Sequence, residues 1–172
     1  MVYVKTISSP LGDILLSSNG DYLTGLWFEG QTYFAATISM EDTTQNSSLH
    51  IFQQVEEWLR IYFSGKEPPF TPALSPKGSD FRQLVWKVLL SIPYGETLSY
   101  SDISNQLFTY AKHKTSPRAV GGAVGHNPIS LIIPCHRVIG KNGDLTGFAG
   151  GLERKVHLLK LENIEGFTSV VA

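Results

Sequence analysis

The sequence predicts an α+β protein of two domains: an N-terminal small antiparallel sheet with a covering helix, and a C-terminal, mainly helical domain. β-rich runs and turn signals fill the first thirty residues, and apolar residues recur at helical spacing in much of the remainder. Four prolines fall within KEPPFTPALSPKG, residues 66–78. A stretch of this composition is typical of a boundary, so we predict domains 1–76 and 77–172.

Three strands and one helix are predicted in the first domain. The strands are VYVKTI, DILLSS and YLTGLWF, separated by PLG and by SNGD, whose Asn-Gly pair favours a hairpin. The stretch LHIFQQVEEWLRIYFSG carries apolar residues at helical spacing and ends at Gly65. This helix can cover one face of the sheet.

Four helices are predicted in the second domain, and three of them have a start signal. Ser79 can cap SDFRQLVWKVLLSIP, Ser99 and Asp102 form the capping-box pattern of SYSDISNQL, and Ser116 can cap a helix that begins at Pro117. LERKVHLLKLEN is the last helix. Two helices joined by a short connection in a basic region indicate a helix-turn-helix, here of winged-helix-like type.

The second helix of this pair, RAVGGAVG, has an unusually small surface. After Arg118 it presents only Ala, Val and Gly, although each glycine costs about 1 kcal/mol relative to Ala in a helix interior. One interpretation is close packing against another helix. The other is entry into the narrow minor groove of DNA, where a bulky face would clash and base readout is degenerate.

Charge is divided unevenly along the chain. The net charge is −1, but residues 1–102 hold 6 Lys/Arg against 11 Asp/Glu, whereas residues 103–172 hold 8 against 4. Residues 103–143 contain five basic side chains and no acid. The cluster is either a solvated face or a surface for a polyanion.

A single cysteine, Cys135 in IIPCHRVIG, excludes internal disulfides and cysteine-rich zinc sites. No signal peptide or run of about 18 apolar residues is visible. We therefore expect a cytoplasmic, monomeric protein that binds no membrane, metal or cofactor.

Cys135 is either a small buried apolar side chain or a nucleophile. A free thiol is mostly protonated at neutral pH, so a nucleophile needs a base, and His136 is adjacent. Neighbours on an extended segment point apart, which favours a bridging water. Glu162 lies one turn beyond Leu158 and Leu159 and can face inward to orient the histidine.

The stretches GETLSY, RAVGGAVGHNP, IIPCHRVIG and GFAGGLERK, in this order, resemble the O6-alkylguanine-DNA alkyltransferase family over about residues 79–166. The resemblance implies that Cys135 accepts the alkyl group from O6-alkylguanine, and possibly from O4-alkylthymine, in duplex DNA in one irreversible step. His136 would be the general base through a water, Glu162 would hold the histidine, and Asn127 would brace the loop against the second helix.

The resemblance also implies how the lesion would be reached. Tyr100 would help rotate the nucleotide out and contact the base, and Arg118 would fill the vacated stack. Ala119 and Gly122 would lie against the minor groove. The guanine amino group would donate to the carbonyls of Cys135 and Val138, and the backbone amide of Ala149 would face O6.

Two departures from the family pattern affect these expectations. LFTYAKHKTSP lengthens the connection between the two helices by about four residues, which leaves DNA contacts of Lys112 and Lys114 open. Ala149 and Ser130 replace a Ser and a Pro of human-type members, and activity should be retained because position 149 acts through its backbone.

Three other functions stay open on the sequence. They are a lesion-binding, non-transferring relative of the family, a cysteine hydrolase or acyltransferase that acts on a small molecule, and a transcriptional regulator. The first usually has Trp where Cys135 stands, and the last needs more base-reading side chains than RAVGGAVG offers.

Overall fold

The computed structural model describes residues 1–112, 115–145 and 147–167. The chain divides into two compact units. The first comprises Met1–Lys77 and Pro128–Ile132, and the second contains the described residues of Gly78–Asn127 and Ile133–Ala172. The predicted α+β architecture with two parts is confirmed.

The first unit contains a four-stranded sheet in the order β3-β2-β1-β4. Its strands are β1 (Val2–Ile7), β2 (Ile14–Ser18), β3 (Leu23–Phe28) and β4 (Thr43–Gln45). The first three are antiparallel neighbours, as predicted, and they pair Leu16 with Leu26. β4 was not predicted and runs parallel to β1.

The turn between β2 and β3 follows the Asn-Gly signal. Gly20 adopts a φ of 114°, and the side chain of Asn19 accepts from the amide of Tyr22 at 2.9 Å. Helix α1 (His50–Phe63) then presents one apolar face, and its buried residues are Ile51, Phe52, Val55, Trp58, Leu59 and Tyr62. This periodicity is what the sequence predicted.

Residues 128–132 belong to the first unit although they lie far along the chain. The amide of Leu26 donates to the carbonyl of Pro128 at 2.8 Å, and the amide of Ser130 donates to the carbonyl of Leu26 at 3.0 Å. This short segment therefore pairs with β3. The linear boundary at residues 76 and 77 does not account for it.

The second unit contains α2 (Asp80–Leu90), α3 (Tyr100–Ala111), α4 (Pro117–Gly125) and α5 (Leu152–Leu161). Two short strands, β5 (Leu98–Ser99) and β6 (Val138–Ile139), pair in parallel. The predicted caps are present: Ser79 and Ser116 accept from backbone amides, and Ser99 forms a reciprocal capping box with Asp102.

Helix α3 is longer than the sequence predicted. It continues to Ala111 and ends where Lys112 adopts a left-handed conformation with a φ of 56°. Residues 108–111, which were expected in the connection, therefore form a further turn of α3. Lys114 lies outside the described residues.

Helix α4 is fixed to α2 by a buried side chain. Trp86, which is 1% exposed, donates its indole N–H to the carbonyl of Ala123 at 2.9 Å. Val120, Ala123 and Val124 form the buried face of α4. In the described parts of the chain, no helix combines the length and apolar character required to cross a membrane.

Candidate active site

Cys135 opens a short 3₁₀ turn, Cys135–Arg137, that leads into β6. The expectation of an extended segment is therefore wrong, although successive side chains diverge in either conformation. The amide of Cys135 donates to the carbonyl of Ile133 at 2.8 Å. Only 3% of the residue is exposed, so the thiol lies in a desolvated environment.

His136 and Glu162 form a buried pair. The Nε2 of His136 lies 2.6 Å from Oε2 of Glu162, and both side chains are 0% exposed. A carboxylate only accepts, so Nε2 carries the proton and Nδ1 is the nitrogen left to act as a base. Glu162 holds this position because it follows the buried Leu158 and Leu159 at the end of α5.

Arg137 contacts the same carboxylate and was not anticipated as a site residue. Its Nε donates to Oε1 of Glu162 at 2.8 Å, and Nη1 donates to the carbonyl of Ile92 at 2.8 Å. The amide of Gly95 also donates to Oε1, at 3.0 Å. Both oxygens of Glu162 therefore accept hydrogen bonds inside the unit.

Asn127 connects the end of α4 to the segment before the cysteine. Its Nδ2 donates to the carbonyl of Ile133 at 2.8 Å, and it is 4% exposed. The carbonyl of Ile133 also accepts from the amide of Cys135. The cysteine turn and α4 are thus held through one carbonyl.

Lys155 is a second buried charge that the sequence analysis missed. It is 0% exposed and donates to the carbonyl of Val138 at 2.6 Å. Lysine is rarely buried completely. The signal was available in the sequence, because Lys155 precedes Leu158, Leu159 and Glu162 at helical spacing and so shares their inward face.

Burial sets the resting protonation of Cys135 and His136. It raises the pKa of the Cys135 thiol, against the opposing effects of the Asn127 side chain and the charge of Lys155. It lowers the pKa of His136, although Glu162 acts in the opposite direction. A neutral thiol beside a neutral imidazole is the resting arrangement that follows, with the imidazole able to accept a proton.

Glu162 and Lys155 respond differently to the same burial. Burial opposes ionisation of Glu162, but hydrogen bonds and charges from His136 and Arg137 outweigh it and lower its pKa to about 2. Burial lowers the pKa of Lys155 to about 8. Near neutral pH the first is a carboxylate and the second is mostly an ammonium.

The outer face of α4 is small and exposed. Arg118, Ala119 and Gly122 are exposed, and a Cβ placed on Gly122 would meet no described atom within 4 Å apart from its chain neighbours and the backbone of its own helix. A Cβ on Gly121 would lie 3.8 Å from the ring of Tyr100, an ordinary contact. Close packing against another helix therefore does not explain Gly122, whereas Gly121 does lie beside Tyr100 of α3.

The structure shows where Tyr100 and Ala149 lie, but their surroundings do not test the predicted roles in base binding. Tyr100 is half-buried at the first position of α3. Ala149 is half-buried in the turn before α5, where the amide of Gly151 donates to the carbonyl of Phe148 at 2.8 Å. Their contacts with a base stay predictions.

Comparisons with known proteins agree with this arrangement. A family model described as the 6-O-methylguanine DNA methyltransferase DNA binding domain matches residues 80–164. A second, described as the ribonuclease-like domain of 6-O-methylguanine DNA methyltransferase, matches residues 2–76. Together they span most of the chain.

The similar proteins include methylated-DNA–protein-cysteine methyltransferases. That of Mycobacterium tuberculosis is 44% identical over 162 residues, covering 94% of this chain and 93% of that protein. That of Haemophilus influenzae is 40% identical over 164 residues, covering 95% of this chain and 87% of that protein.

Among solved structures, the Mycobacterium tuberculosis OGT in complex with DNA has a TM-score of 0.82 at 44% identity, covering 93% of this chain and 92% of that one. The O6-methylguanine DNA methyltransferase of Methanococcus jannaschii has a TM-score of 0.64 at 28% identity, covering 98% of each chain. A buried Cys-His-Glu arrangement, an exposed small-residue helix and these matches lead to one conclusion: the chain belongs to the 6-O-methylguanine DNA methyltransferase family.

Proposed function

We propose that this protein repairs DNA directly by moving the alkyl group of O6-alkylguanine onto Cys135. The observation that carries the proposal is the buried hydrogen bond of 2.6 Å between His136 and Glu162 beside the chain's single thiol. A thiol, a base and a group that orients the base are the parts that nucleophilic displacement needs. The similar proteins named methylated-DNA–protein-cysteine methyltransferase support the same reaction.

The proton balance follows from the resting state. His136 removes the proton of Cys135, through a water, at Nδ1, while Glu162 holds Nε2–H. The sulfur then attacks the alkyl carbon, the bond from that carbon to O6 breaks, and a C–S bond forms. The departing guanine takes up one proton, which restores neutral guanine and neutral imidazole.

Coupled proton removal suits the buried site better than a preformed thiolate. Burial raises the pKa of the Cys135 thiol and lowers that of His136, so an ion pair is disfavoured before substrate enters. The thiolate then forms only when the reacting carbon is in place. This arrangement protects the only cysteine from other electrophiles.

Helix α4 is the proposed DNA contact. Its exposed face carries Arg118 at the start and then Ala119 and Gly122, a profile that suits the narrow minor groove. An O6-alkyl group inside a duplex is out of reach, so the nucleotide must be extruded, and Arg118 would fill the gap. Because Cys135 is 3% exposed, the incoming base must also displace atoms that now cover the thiol.

Transfer to sulfur leaves a stable thioether. No hydrolytic step regenerates Cys135 in this scheme, so each chain repairs one lesion. Activity on O4-alkylthymine, the cytoplasmic location and the monomeric state remain predictions of the same kind.

Mass spectrometry tests the proposal. Incubation with duplex DNA containing O6-methylguanine should replace one hydrogen of Cys135 by one methyl, saturating at one per chain. Cys135→Ser should remain unmodified and still bind the duplex. Unmodified wild-type protein bound to the lesion would instead indicate a non-transferring relative, and repeated turnover would indicate a hydrolase.

A further inference from the structure

The carboxylate of Glu162 is shared between two basic side chains. Oε2 accepts from His136 at 2.6 Å, and Oε1 accepts from Arg137 at 2.8 Å and from the amide of Gly95 at 3.0 Å. The two side chains come from consecutive positions of one 3₁₀ turn, and the carboxylate comes from the end of α5.

Arg137 is held at several points. Besides Glu162 it donates to the carbonyl of Ile92 at 2.8 Å, and its guanidinium lies 5.6 Å from the ring centroid of Tyr94. It is 8% exposed. An arginine stays charged at any pH that the folded protein meets, so this is a permanent positive charge beside the carboxylate.

A histidine paired with a buried carboxylate alone tends to become charged, because the opposite charge favours the imidazolium. An imidazolium at rest cannot take a proton from a thiol. In this site the single negative charge of Glu162 is already matched by Arg137, so a second positive charge on His136 would be uncompensated. The ammonium of Lys155 acts on the imidazole in the same direction as Arg137.

We propose that Arg137 is a positioning residue for alkyl transfer: by sharing the Glu162 carboxylate, it keeps His136 neutral and ready to accept the thiol proton. Glu162 then orients the imidazole without charging it. This inference rests on the proposed function for its kinetic consequence, but the coupling between Arg137 and His136 exists without substrate.

The first experiment follows the titration of His136 by NMR in wild type and in Arg137→Met. The groups that face His136 are Cys135 and Arg137 in its own turn, and Lys155 and Glu162 from α5. Loss of the guanidinium should raise the titration midpoint of His136 by about one pH unit or more. Arg137→Lys keeps the charge and should hold the midpoint close to that of wild type.

Lys160→Met is the matched control for Arg137→Met. It also removes one positive charge, but from an exposed position near the end of α5, the helix that Glu162 follows. Its effect should be small, since exposed charges are screened. A midpoint in Arg137→Met that is unchanged or lowered, or one that Lys160→Met raises equally, overturns the inference.

The second experiment measures single-turnover transfer from O6-methylguanine duplex between pH 5 and 9. The acid limb of the rate profile should move to higher pH in Arg137→Met and stay in place in Arg137→Lys. A merely structural role would lower the rate at all pH values without moving the limb. If wild type transfers nothing, the proposed function fails, and the NMR titration still decides the coupling.

Should Arg137→Met not fold, Arg137→Lys still tests the rate profile, and wild type alone can overturn the inference. The ¹⁵N shifts of His136 should report a neutral ring protonated at Nε2 at pH 6. A doubly protonated ring at that pH would show that Arg137 does not prevent charging.

Discussion

Replacing Glu162 with glutamine should destabilise the protein by about 3 kcal/mol at neutral pH and by little in strong acid. Glutamine keeps the shape of the side chain but removes the charge that faces His136 and Arg137. The pKa of Glu162 is lowered from 4.5 to about 2, because the two basic partners outweigh burial. This lowering of the pKa corresponds to about 3 kcal/mol of stability, because each pKa unit is worth about 1.4 kcal/mol.

The sign follows from linkage. A carboxyl whose pKa is lower in the folded state adds stability at pH values above 4.5 and loses it as the pH falls toward 2. The unfolding free energies of wild type and Glu162→Gln should therefore converge between these values. At pH 7 the variant leaves Arg137 without its anion; this loss is already part of the stated energy, because Arg137 is one of the causes of the lowered pKa of Glu162.

Urea unfolding followed by tryptophan fluorescence at pH 7, 5, 4 and 3 measures this difference. Glu165→Gln is the matched control, since Glu165 is exposed and its replacement should change stability by about 0.5 kcal/mol or less. A loss below about 1 kcal/mol at pH 7, or a difference that does not vary with pH, would refute the reasoning.

Three other perturbations test separate parts of the molecule. Gly122→Leu should leave thermal stability unchanged or raise it, because leucine favours helix and the added Cβ would meet no described atom within 4 Å beyond its chain neighbours and its own helix backbone. The same variant should weaken duplex binding about tenfold or more in a fluorescence titration. Arg118→Ala should slow repair of duplex more than of the free base in a single-turnover assay, and equal losses would exclude the stack-filling role. A fragment beginning at Gly78 lacks the β3 partner of Pro128 and should lose cooperative thermal unfolding by circular dichroism, whereas a sharp transition would show that residues 128–132 are dispensable.

Local signals predicted most of the fold. Ser79, Ser99 and Ser116 cap the helices that begin after them, because each can satisfy backbone amides of the first turn. Strand β4 escaped prediction since Thr43–Gln45 has no apolar alternation and depends on its pairing with β1. The grouping of residues 128–132 with β3 is likewise a long-range pairing that periodicity does not encode.

The candidate site was predicted in part. Cys135, His136 and Glu162 could be named from residue type, helical phase and family resemblance, and the structure places the last two in contact. Arg137 and Lys155 were passed over because charged side chains are expected at the surface. Their burial depends on partners that only the folded chain supplies: a carboxylate for one and the carbonyl of Val138 for the other.

The indole of Trp86 gives the protein a built-in reporter of its proposed DNA-contacting helix. Its indole N–H donates to the carbonyl of Ala123, so the NMR resonance of that N–H depends on whether the last turns of α4 are formed. Duplex binding, heating or a substitution on the outer face of α4 would each change this resonance without an attached dye. Loosening of that helix could then be timed separately from the chemistry at sulfur.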